Sequence, residues 1–154
     1  MEQNGDTDPG ALTSINGLAI DLCETGALEE AEALFRELLE ARRQVLEPSD
    51  FGIGRALGGL AKTLEGAGKL DEALVYAQQA LDHRLEHQGP DDWNTNFDRL
   101  DLARIFHKVG RSLEARGQLD ELERSLTQQE EPSELDQMLL ADSAELRHTI
   151  NTQR

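Results

Sequence analysis

At 154 residues the chain is long enough for one domain, which at that size buries roughly 70% of its unfolded surface. Its 31 Asp and Glu against 15 Lys and Arg leave a formal net charge of −16, which repels nucleic acid and anionic membrane, since phosphate binding depends on positive charge. The single cysteine, Cys23, excludes an internal disulfide, no apolar run nears the roughly 20 residues that span a bilayer, and polar Met1–Gly10 is unlike a secretory signal, so the cytoplasm is the expected compartment.

Residues 1–7 read as a disordered tail. Asp8 can accept bonds from the orphan amides of a first helical turn, and Pro9 suits the first helical position. That helix runs to Gly26, where glycine can take the left-handed conformation that ends a helix. A second helix follows a short turn and stops near Pro48. Ser49 or Asp50 opens a third helix that ends at Gly68, and a fourth runs to Pro90. Asp91 or Asp92 opens a fifth, ending at Gly110, and a sixth runs to Pro132. From Ser133 to about Asn151 one more helix has no partner of its own, the usual place for a cap.

The chain matches itself when slid by 42 residues. Leu18-Ala19 falls on Leu60-Ala61 and Leu102-Ala103, and Gly26 on Gly68 and Gly110. Glu30-Ala31 falls on Glu72-Ala73 and Glu114-Ala115, Leu22 on Leu64 and Phe106, and Pro48 on Pro90 and Pro132. The expected organisation is one repeat domain over residues 8–151, with repeats at about 8–49, 50–91 and 92–133 and a cap at 134–151. In the first helix of each hairpin, helix A, Ile15, Leu18, Ala19 and Leu22 share a face, as do Leu57, Leu60, Ala61 and Leu64. In the second, helix B, Ala31, Phe35, Leu38 and Leu39 form the stripe, echoed by Ala73, Ala77, Ala80 and Leu81. One hairpin cannot cover both of its apolar sides, so neighbours must stack into a curved array with helix A on the concave side.

The stretch Leu-Ala-x2-Leu-x3-Gly-x-Leu-x2-Ala, beginning at Leu18, resembles the tetratricopeptide repeat. The 42-residue period and the run Ser14-Ile15-Asn16-Gly17-Leu18-Ala19 are similar to the longer variant found in kinesin light chains and many bacterial proteins. The resemblance covers about Asp8 to Glu131 and implies an all-α, right-handed α-solenoid of three helix hairpins plus a C-terminal capping helix. Repeat three departs from the pattern. Ser112 stands where Leu28 and Leu70 stand, and Gly117, Gln118 and Glu123 interrupt the apolar stripe, so its helix B is expected to be bent, frayed or specialised.

The resemblance further implies that an extended peptide or a helix binds the helix A face. A turn of 100° per residue puts Thr13, Asn16, Ile20, Cys23 and Glu24 there in repeat one, opposite Leu18 and Leu22. The counterparts are Arg55, Gly58, Lys62, Glu65 and Gly66, then Phe97, Leu100, Arg104, His107 and Lys108. The cap supplies Leu139, Asp142, Leu146, Thr149 and Ile150. Asn16, Arg55, Lys62, Phe97, Leu100, Arg104, His107 and Lys108 are the candidate binding residues. Four cations there oppose Glu24, Glu65 and Asp142, leaving +1 on a protein of −16 and pointing to a partly acidic segment with an apolar anchor at Phe97. Basic side chains on an exposed helix are also often merely solvated, and Lys69 is placed to pair with Glu65. The carboxylate clamp of some relatives is not expected, since Ile20, Gly58 and Gly66 do not complete what Asn16 begins. Gly58, Gly59 and Gly66 serve either close helix packing or the approach of a ligand backbone.

Catalysis is not expected. His83 and His87 have a metal-compatible spacing, but they sit opposite Leu81 and Leu85 with no third ligand placed by sequence. Cys23 has no activating partner in any recognisable motif, and no phosphate loop, nucleophile elbow or zinc pattern occurs. No metal, no cofactor and no nucleic-acid or membrane partner are expected. The expected role is a non-catalytic adaptor for a protein or peptide partner. A small chaperone for a secreted or assembling client, and a self-associating scaffold module, are the alternatives.

Overall fold

The computed structural model describes residues 8–45, 47 and 49–153; the tail assigned to residues 1–7 and the stop assigned to Pro48 lie outside them. Seven helices, and no strand, occur among the described residues. They are α1 (Pro9–Glu24), α2 (Leu28–Val45), α3 (Phe51–Gly66), α4 (Leu70–His87), α5 (Trp93–Lys108), α6 (Ser112–Thr127) and α7 (Glu134–Thr152). The chain divides within α4 into two compact halves, one ending at His83 and one beginning at Arg84.

The local chemistry repeats with the sequence. Asp8 accepts from the amides of Gly10 at 3.0 Å and Ala11 at 3.2 Å, and Asp50 and Asp92 accept from Gly52 and Asn94 at 2.9 Å each. At α7, Ser133 and Asp136 cap each other's backbone amides reciprocally. Each A-to-B turn closes the same way. The amides of Ala27, Lys69 and Arg111 donate to Leu22, Leu64 and Phe106, and the glycine just before each donor, Gly26, Gly68 or Gly110, has φ of 86°, 76° or 79°.

In the N-terminal half α2 packs against both α1 and α3, and α1 also touches α3. Ala31, Phe35, Leu38 and Leu39 are buried, as are Ile53, Leu57, Leu60, Ala61 and Leu64. Leu18 departs from its repeat partners: it is 52% exposed, whereas Leu60 is fully buried. Against α3 lies α2, while no described helix precedes α1 to cover the equivalent side. Polar groups fasten this half. Arg42, nearly buried, reaches the α3 cap Asp50 at 3.0 Å, and a Cβ on Gly52 would run into its guanidinium. Arg36 bridges Glu32 of α2 and Glu72 of α4 at 2.9 and 2.8 Å. Lys69, expected to pair with Glu65, instead donates to Glu32 at 2.8 Å, because α2 brings that carboxylate across the turn.

In the C-terminal half α5, α6 and α7 pack on one another pairwise. Helix α6 is continuous, with Ala115, Leu119, Leu122 and Leu126 buried. Of the three readings for this helix, specialised fits. Gly117 is simply exposed, and Glu123 accepts from Ser143 Oγ at 2.8 Å and from Arg147 Nε at 3.2 Å, holding α7 down. A buried polar network ties the incoming connection to α5. Arg99 donates to the Pro90 carbonyl and Asn96 Oδ1 at 2.7 Å each, and Asn96 donates to Ser125 at 2.9 Å. Arg84 pairs with buried Asp98 at 3.2 Å, yet burial outweighs that partner and pushes the Asp98 carboxyl up to about 7.

Candidate peptide-binding face

Each half contains a hollow between successive A-type helices. In the N-terminal half it lies between α1 and α3, about 30 Å³ in volume, lined by Ile20, Cys23, Glu24 and Lys62 over a floor of Phe35 and Gly59. In the C-terminal half it lies between α5 and α7, about 350 Å³, lined by Leu100, Arg104, Asp142, Glu145, Leu146 and Thr149. The helical wheel had put most of these walls on the helix A face. It missed Phe35, which reaches the first floor from α2, and Glu145, which lies beside its wheel neighbours Asp142 and Leu146.

The candidate residues divide by their surroundings. Arg55 and Lys62 are exposed, and among the described residues no ion pair engages either. Lys62 lines the first hollow with Glu24; Arg55 lines neither hollow. Asn16 is 2% exposed, with neither amide atom hydrogen-bonded, because the face that carries it also carries buried Leu12 and Ala19. It sits below the surface rather than on it. Leu100, also 2% exposed, is the floor of the second hollow. Arg104 is half-exposed but bound to Asp101 at 2.6 Å, a partner signalled by the i, i+3 spacing and not weighed in the charge count. Phe97 is 36% exposed and stacks on Trp93 with ring centroids 5.3 Å apart, an i, i+4 aromatic contact that sequence reasoning also passed over. His107 is half-buried and Lys108 exposed, and neither lines a hollow.

Gly59 follows the packing reading, whereas the contact at Gly66 is an ordinary one. A Cβ on Gly59 would overlap the ring of Phe35, and one on Gly66 would touch the Leu28 methyls at 3.4 Å. Cys23 is half-buried in the wall of the first hollow. Among the described residues, no three His, Cys, Asp or Glu are grouped to hold a metal, and no helix is long and apolar enough to cross a membrane.

Paired helices with a left-handed glycine at every A-to-B turn and an open hollow between A helices define an all-α helix-hairpin repeat protein. The tetratricopeptide repeat family model matches residues 10–86, and the chain belongs to that family. No curated protein matches the sequence. Among solved structures, BtubC (BKLC) from P. vanneervenii is similar with a TM-score of 0.75 and 20% identity, over 94% of this chain and 57% of that one. The kinesin light chain repeats of Podosopora anserina give 0.72 and 19%, over 96% and 79%. The type III secretion translocator chaperone SycD of Yersinia enterocolitica, in a structure with a peptide of the translocator YopD, gives 0.63 and 18%, over 92% and 96%.

Proposed function

We propose that the protein is a non-catalytic interaction module that holds a segment of a partner polypeptide on its helix A face. The observation that carries this reading is the repetition of an open hollow between A helices in both halves, over floors of buried apolar side chains. Each such hollow can take a side chain of a bound segment, and neither lining holds a nucleophile and base in contact. In the N-terminal half, Arg55 and Lys62 are the cations left to a ligand, and they favour an acidic stretch there. The stacked Trp93–Phe97 pair offers the apolar anchor in the other half.

A chaperone for a secreted or assembling client is the second reading, favoured by the likeness to SycD with its YopD peptide. The two differ in salt dependence, because exposed ion pairs are screened and apolar contacts are not. Affinity capture on wild type beside an Arg55→Glu/Lys62→Glu variant of matching helicity tests the proposal. A partner lost only by the variant, and weakened by salt, supports the adaptor. One retained by both at high salt supports the chaperone, and capture of nothing by either sinks both readings.

A further inference from the structure

We propose that the hollow between α5 and α7 is a subsite for the cationic side chain, lysine or arginine, of the partner segment. The inference rests on the peptide-binding reading and adds a charge that the basic cast of the candidate residues does not suggest. At about 350 Å³ the hollow falls within the size range of sites that enclose a ligand group. Its one cation, Arg104, has its charge met by Asp101 at 2.6 Å. What remains on the walls is Asp142 and Glu145, both exposed, one turn apart on α7, and joined to no ion pair among the described residues. Thr149 spends its hydroxyl proton on the Glu145 carbonyl at 3.1 Å, so toward the hollow it can only accept.

Two carboxylates and an accepting hydroxyl beside an apolar floor select a group that is all donor at its tip and all methylene along its stem. A lysine ammonium or arginine guanidinium fits, with its stem on Leu100 and Leu146 and its head between the two carboxylates. A carboxylate would face two like charges. A purely apolar side chain would strip water from both acids with nothing in return.

The test is selection of random dodecapeptides displayed on phage against the full chain, followed by binding of the enriched sequence as a fluorescent synthetic peptide. The subsite predicts that enriched peptides carry Lys or Arg beside an apolar residue. It also predicts that replacing that cation by Gln weakens binding about tenfold to wild type, and hardly at all to Asp142→Asn/Glu145→Gln. Both acids are exposed, so this variant folds, and a matching urea midpoint checks it. Enriched peptides without a cation, or a Gln penalty that persists in the variant, overturn the subsite and leave the peptide-binding reading standing. Failure to enrich any peptide overturns both.

Discussion

Three glycines within helices predict opposite responses to one substitution. Gly17 in α1 and Gly117 in α6 have nothing within 4 Å of where a Cβ would stand, whereas a Cβ on Gly59 in α3 would overlap the far edge of the Phe35 ring. Alanine in place of an interior helical glycine gains roughly 0.5–1 kcal/mol in backbone entropy. At Gly17 and Gly117 that gain stands alone. At Gly59 it is set against over-packing of about 1–3 kcal/mol, because Phe35 is wholly buried and its ring must shift to admit the Cβ. Gly59→Ala should therefore destabilise by roughly 0.5–2 kcal/mol while Gly17→Ala and Gly117→Ala stabilise. Urea unfolding followed by circular dichroism reads the sign directly, since the midpoints move in opposite directions. Adding Phe35→Leu should remove most of the Gly59→Ala penalty, because the overlapping atoms are the ones deleted. A Gly59→Ala midpoint raised as far as the other two would refute the packing argument and leave that glycine unexplained.

Leu60→Ala should cost about 2–5 kcal/mol and Leu18→Ala less than about 1 kcal/mol, although the two share one position in the repeat, since only Leu60 is fully buried; comparing urea midpoints decides it. Asp98, with its carboxyl raised to about 7 by burial, holds its proton more tightly in the folded than in the unfolded chain. Its contribution is therefore full below the ordinary carboxylate range and is lost as pH rises through about 7, so wild type should lose stability relative to Asp98→Asn between about pH 4 and 7; parallel pH profiles would refute this.

The repeat was legible because its signals are local. A glycine that must take a positive φ at Gly26, Gly68 and Gly110, and an acceptor at Asp8, Asp50, Asp92 and Ser133, depend only on neighbours in sequence. The wheel also put Ile20, Lys62, Arg104 and Leu146 on one face, and the walls of the two hollows contain them. What the wheel could not see is depth and cross-chain pairing. Asn16 lies on a predicted face yet sits beneath its surface, and Leu18 is a core residue by pattern that is 52% exposed, with no helix before α1 among the described residues. Glu123 looked like an interruption of an apolar stripe because Ser143 and Arg147, which need it, lie at least 20 residues away.

The same limit governs the charge of the binding face. Counting cations on a wheel treats each as available, but an arginine's charge reaches a ligand only if no carboxylate has met it already. Arg36, Arg42, Arg84 and Arg147 are engaged in ion pairs within their own half, and so is Arg104, which the count assigned to the ligand. With Arg104 met by Asp101, the walls of the larger hollow keep the two negative charges of Asp142 and Glu145, while at the smaller one Lys62 stands with Glu24. A segment seated in the larger hollow therefore brings a cation, which the basic residues of the face would not suggest.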